Sequence, residues 1–146
     1  MFDPKLLAIG AEAPGFDLED ESGNRVRLSD FASRRGVVMV FYPMDGTPVC
    51  RAQLCEMRDQ WESFFSQNIA VVGVNPGGAV SHRKFKSKQR FPFPLLVDQG
   101  KRVASLYGAG GLIVKRCVYG IAAGRIQFAE AGRPSPEKVL AAMADG

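Results

Sequence analysis

The sequence predicts an α/β fold built on a mixed sheet, and three observations carry that prediction. Two continuous apolar runs rich in β-branched residues, Val37 to Tyr42 and Ile69 to Val74, have the composition of strands buried on both faces. Between them Leu54, Met57, Trp61, Phe64 and Phe65 recur at helical spacing, so strand, helix and strand form a crossover with the strands parallel. Late in the chain, Val114 to Ile121 and Arg125 to Glu130 meet across Ala122-Ala123-Gly124. So short a turn makes them an antiparallel hairpin.

The remaining elements follow in order. Gly10 to Leu18, a turn at Glu21-Ser22-Gly23-Asn24 and Val26-Arg27-Leu28 alternate as a short hairpin does. Ser29 or Asp30 can cap a brief helix through Ser33, with Gly36 ending it. After the first buried strand comes a turn with two prolines and a glycine, and a helix begins at about Val49 and stops at Asn68. Gly77-Gly78 opens a charged helix from Ala79 to Gln89, and Phe91-Pro92-Phe93-Pro94 is a loop by its prolines. Leu95 to Val97 is a short strand ended by Asp98, Val103 to Leu106 a brief helix, and Gly108 to Gly111 a flexible connection. Ser135 as N-cap and Pro136 in the first helical position start a final helix to about Met143. A βαβα order followed by a hairpin and a helix is that of a thioredoxin-like domain, here a single one over residues 1–146 with an added N-terminal β-hairpin.

Composition narrows the function. With 46% hydrophobic and 23% charged residues and a net charge of +4, the chain reads as a globular protein without an 18-residue apolar run, and no membrane span is expected. Met1 to Lys5 lacks the basic and apolar regions of a signal peptide, which points to the cytoplasm. Basic residues are spread along the chain except in the helix around His82, so nucleic acid is not called for. Three cysteines form an odd set that does not resemble a secreted disulfide framework, leaving thiol chemistry or burial as their uses.

One thiol stands out. Cys50 falls in the first turn of a helix, where unpaired N–H groups and the positive end of the macrodipole favour a thiolate. It also follows the carboxyl end of a parallel strand, where open sheets bind ligands. Cys55 comes five residues later. On an intact helix that spacing sets the Cα atoms about 8.7 Å apart and turned by about 140°, whereas a disulfide needs about 7 Å or less. A bond between them requires the helix start to unwind, which suits a sequence in which Cys50 is oxidised first and Cys55 condenses with it afterwards. The competing reading is that both are small buried residues. Cys117 reads as a packing residue, Trp61, Phe64 and Phe65 as core, and the basic run with His82 as a solvated helix face.

Pro43-x3-Thr47-x2-Cys50, set between a buried strand and a helix, resembles the active-site signature of the peroxiredoxins, and Cys50-x4-Cys55 resembles their Q-type branch, the bacterioferritin comigratory proteins. The likeness extends over nearly the whole chain. It includes Gly10-x2-Ala13-Pro14-x-Phe16-x-Leu18, Ser81-His82-x-Lys84-Phe85, Phe93-Pro94-Leu95-Leu96-x-Asp98, Tyr107-Gly108 and Arg116. Gln53 stands where Glu is common in that branch, Asn75-Pro76 where a Ser-containing turn is usual, and Val118 where Ser or Thr is frequent.

The resemblance implies a role for each matching residue. Cys50 would attack the peroxide O–O bond, Thr47 would orient the peroxide, and Pro43 would shield the sulfur. Arg116 would lower the cysteine pKa and stabilise charge on the leaving oxygen, with the N–H groups of Val49 and Cys50 as further donors. Cys55 would resolve Cys50 as an intramolecular disulfide, and a thioredoxin-like protein would restore both thiols. No metal, haem or flavin is implied, and the chain would act as a monomer or weak homodimer. Lys115 competes with Arg116, since strand alternation sends the two to opposite faces. Two other functions remain: thiol–disulfide exchange on proteins, which C-x-x-C would favour, and a non-catalytic binding module with structural cysteines.

Overall fold

The computed structural model describes residues 6–144; Met1 to Lys5, the segment inspected for a leader, lies outside the described residues. Among the described residues seven strands join one sheet in the order β2-β1-β5-β4-β3-β6-β7. β3 (Gly36–Phe41), β4 (Ile69–Asn75) and β5 (Leu95–Val97) run parallel to one another. β1 (Asp17–Asp20) and β2 (Arg25–Arg27) are antiparallel on one side, and β6 (Cys117–Ala122) and β7 (Arg125–Ala131) on the other.

β3 shows why the sheet is mixed at the edges and apolar at the centre. All six of its residues are buried, and successive side chains feed opposite layers. Val37, Met39 and Phe41 join a cluster with Val103, Tyr107, Cys117 and Tyr119. Val38, Val40 and Tyr42 join another with Cys50, Leu54, Met57, Phe64, Phe85, Val139 and Met143. The helices supplying that second layer are α1 (Pro48–Asp59), α2 (Trp61–Ser66), α3 (Ala79–Gln89) and α5 (Pro136–Ala144), while α4 (Arg102–Leu106) lies in the first. The thioredoxin-like arrangement with an added N-terminal hairpin is therefore present. No helix among the described residues is long and apolar enough to cross a membrane.

Four local expectations change. The long helix after Cys50 is two helices, because Gln60 leaves the helical region at φ −105° and ψ 16°. Phe65, read as core, is 66% exposed, since the break rotates α2 so that Phe64 alone of its six residues is buried. Gly36 opens β3 instead of ending a helix, and Leu28–Phe31 is a single 3-10 turn in which Asp30 accepts from the Arg27 N–H at 2.8 Å. The sixth strand starts at Cys117 rather than Val114, because Lys115 N–H is drawn to the Ala109 carbonyl at 2.8 Å.

Candidate active site

α1 starts directly beyond β3. Thr47 is its N-cap in extended conformation (φ −72°, ψ 151°), its carbonyl accepts from Arg51 N–H at 2.8 Å, and Pro48 takes the first helical position, where a missing N–H costs nothing. Helix geometry leaves the N–H groups of Val49 and Cys50 without intrahelical acceptors. The Thr47 hydroxyl donates to the Met44 carbonyl at 3.2 Å, so its lone pairs stay open to another donor. Pro43, half-buried, leads the loop out of the sheet.

Cys50 is 1% exposed and belongs to the apolar face of α1 with Gln53, Leu54 and Met57. Arg116 reaches it from the segment before β6: Nη2 donates to Cys50 Sγ at 3.2 Å and Nη1 to Gln53 Oε1 at 2.9 Å. The strand-alternation contest between Lys115 and Arg116 does not arise, because both precede β6. Gln53, 1% exposed, holds the guanidinium by its carbonyl oxygen, and its amide nitrogen has no partner among the described residues. Cys50, Thr47 and Arg116 are thus grouped at one end of the sheet.

Cys55 is on the same helix but faces another way. Its Sγ meets Gln89 Oε1 of α3 at 3.6 Å, and burial, aided by Asp59 and opposed by Arg58 and Arg51, raises its thiol pKa above the usual 9.0. With α1 intact, about 8.7 Å separates the two Cα atoms, so joining them requires the first turns to open. Cys117 pairs with Phe41 and Ala131 in the layer across the sheet from Cys50.

The solvated-face reading of His82 is corrected by the structure. His82 is fully buried, with Nδ1 2.6 Å from Asp45 Oδ2 and Nε2 3.0 Å from the Leu96 carbonyl. Both ring nitrogens face acceptors, an arrangement that only the doubly protonated ring satisfies. Burial pulls its pKa down, but the hydrogen bond and charge of Asp45 and the carbonyls of Leu96 and Asn75 outweigh it, and the net shift is upward. Asp45 shifts the other way: burial raises it, and donation from His82, Tyr42 and Ser81 more than reverses this. Tyr42 hydroxyl donates to Oδ1 at 2.7 Å and Ser81 to Oδ2 at 2.7 Å. The loop carrying Thr47 into α1 is therefore fastened to α3 by a buried ion pair.

Asn75 supports the same loop from β4. Its amide donates to the Tyr42 carbonyl at 2.7 Å, and its oxygen accepts from Gly77 N–H at 2.7 Å. The sequence assigns Gln53, Asp45, His82 and Asn75 no role in this site. For His82 a signal existed: His82, Phe85 and Gln89 are spaced as one helix face. Among the described residues no three His, Cys, Asp or Glu side chains gather as metal ligands.

The chain is similar to several known proteins. Over 102 residues, 70% of the chain, it is 42% identical to peroxiredoxin Q, chloroplastic, of Oryza sativa subsp. japonica, covering 46% of that protein. It is 39% identical over 101 residues to peroxiredoxin Bcp of Bacillus subtilis, covering 69% of the chain and 64% of the relative. The chain thus spans less than two thirds of the length of either. The crystal structure of peroxidoxin BcpB from Mycobacterium tuberculosis superposes with a TM-score of 0.87 at 30% identity, covering 94% of this chain and 96% of that one. Residues 9–129 match the model of the AhpC/TSA family, and the chain belongs to that family.

Proposed function

We propose that the protein is a thiol peroxidase that reduces hydrogen peroxide and organic hydroperoxides. The observation that carries this reading is the Arg116 guanidinium against Cys50 Sγ at a helix start. Cys50, as the thiolate, attacks one peroxide oxygen. The O–O bond breaks, the other oxygen takes a proton and leaves as water or an alcohol, and Cys50 becomes a sulfenic acid. Arg116 and the N–H groups of Val49 and Cys50 supply donors where negative charge grows, while Thr47 accepts from the peroxide O–H. Pro43 helps keep water from the sulfur.

Once the start of α1 unwinds, Cys55 thiolate attacks the Cys50 sulfur, the S–O bond breaks, the leaving oxygen takes a proton from solvent and departs as water, and an intramolecular disulfide forms. A thioredoxin-like dithiol then donates two electrons and returns both thiols. Both reacting cysteines are on one chain, which supports a working monomer, and a cycle that ends in free thiols suits a reducing cytoplasm.

Rapid mixing with hydrogen peroxide tests the reading, with the lone Trp61 as reporter. Oxidation far faster than that of free cysteine, abolished by Cys50→Ser, is the expected result. A rate equal to that of an ordinary thiol overturns it and returns the chain to the role of binding module.

A further inference from the structure

Between α1 and α3 lies a groove of about 730 Å³ that the peroxide chemistry does not use. Its floor is the buried Phe85 and its rim the 57%-exposed Val80. Around it stand Arg51, Lys84 and Lys88, all exposed and, among the described residues, in no ion pair. The one acid on its wall, Asp45, is opposed by the His82 charge. Gln89 also lines the groove, and its Oε1 meets Cys55 Sγ at 3.6 Å, so the second thiol lies one contact behind the wall. The spacing explains the convergence: Arg51 and Cys55 are four apart on α1, and Lys84 and Lys88 are four apart on α3, each pair sharing a helix face.

We propose that this groove receives an acidic face of the dithiol protein that reduces the Cys50–Cys55 disulfide; the inference rests on the peroxidase reading above. Unopposed cations beside a reacting sulfur attract and orient a negatively charged partner, and Val80 and Phe85 offer it apolar contact. α3 keeps its place while α1 opens, because His82 and Phe85 are buried beneath it, so Lys84 and Lys88 stay beside the emerging disulfide. The partner's thiolate attacks Cys55 Sγ, forming a mixed disulfide and releasing Cys50 as thiolate. The partner's second thiol then attacks its own half of that bond. Cys55 leaves as thiolate and the partner departs as a disulfide, two electrons having passed to the enzyme.

The test compares two reductants on the full chain. One is a thioredoxin with acidic side chains around its dithiol, and the other is dithiothreitol, which is uncharged. In Lys84→Glu/Lys88→Glu the KM for thioredoxin should rise about tenfold, while dithiothreitol-driven turnover and the oxidation of Cys50 by peroxide stay unchanged. Changing the thioredoxin acids to lysine should restore its KM with the variant. For the wild type, added NaCl should slow thioredoxin-driven turnover and leave the dithiothreitol rate alone, a measurement that needs no variant to fold. Equal salt response of the two reductants, or an unaltered KM in the charge-reversed variant, overturns the proposal. So does charge-dependent turnover faster with glutathione than with thioredoxin, which would make the groove a site for a small anionic thiol. If peroxide leaves Cys50 unoxidised, the peroxidase reading itself fails and the groove's role falls with it.

Discussion

Nη2 of Arg116 and Sγ of Cys50, 66 positions apart in the chain, lie 3.2 Å apart, and the same guanidinium is held by Gln53 through Nη1 at 2.9 Å. The contact joins the helix start to the segment before β6. It sets a fixed cation beside a sulfur that burial removes from bulk water.

Arg116→Ala should therefore slow the oxidation of Cys50 by hydrogen peroxide about 100-fold, the scale for removing one donor aimed at developing charge. Arg116→Lys should recover only part of the rate, because an ammonium cannot span Gln53 and the sulfur as the planar fork does. Second-order rate constants from rapid mixing decide it; an unchanged constant in the alanine variant removes Arg116 from the reaction.

Cys55→Ser should leave the first oxidation at its wild-type rate and stop turnover with thioredoxin after one equivalent of peroxide. Mass spectrometry of the oxidised variant should find one added oxygen on Cys50. Sustained cycling in this variant would assign resolution to another thiol, and Cys117 lies across the sheet.

The buried Asp45–His82 pair has a definite pH signature. His82 is raised, so its contribution to stability is complete below the unfolded value of 6.5 and is lost as pH rises through its folded value. Asp45 is lowered, so its contribution is complete above 3.8 and is lost as pH falls through its folded value. Denaturant titrations should show His82→Leu less stable than wild type by about 3–5 kcal/mol between those limits, the cost of leaving a buried charge unpaired. The gap should narrow above pH 6.5; a gap independent of pH would show that the pair is not ionised.

Cys55 ionises with more difficulty than a free thiol because it is partly buried. In a Cys50→Ser/Cys117→Ala background, where Cys55 is the sole thiol, alkylation by iodoacetamide should be slower in the folded protein than in urea at the same pH. Its pH midpoint should lie above 9.0. Equal rates would mean that α3 does not cover the sulfur.

Much of this was legible in the chain because the signals were local. α3 and β5 have the bounds that glycine, proline and apolar spacing predict, and Lys138 N–H donates to Ser135 Oγ at 3.2 Å, as an N-cap should accept. What escaped depends on contacts distant in sequence. Nothing beside Gln60 announces the break between α1 and α2, since no proline or glycine marks it. Arg116 could be assigned only by resemblance, because its partner is 66 residues away. His82 was hidden by the lysines and arginines around it, although its partner Asp45 stands within the very loop that drew attention.

That fastening has a further consequence, and it concerns damage. In the proposed cycle a sulfenic acid on Cys50 would wait for α1 to open before Cys55 could rescue it, and during the wait a second peroxide would drive it on to sulfinic acid, beyond the reach of any dithiol. The firmer the loop is seated by Asp45 on His82, the longer that vulnerable interval becomes. Under the proposed cycle, the same buried proton would thus also set the dose of oxidant at which Cys50 is lost.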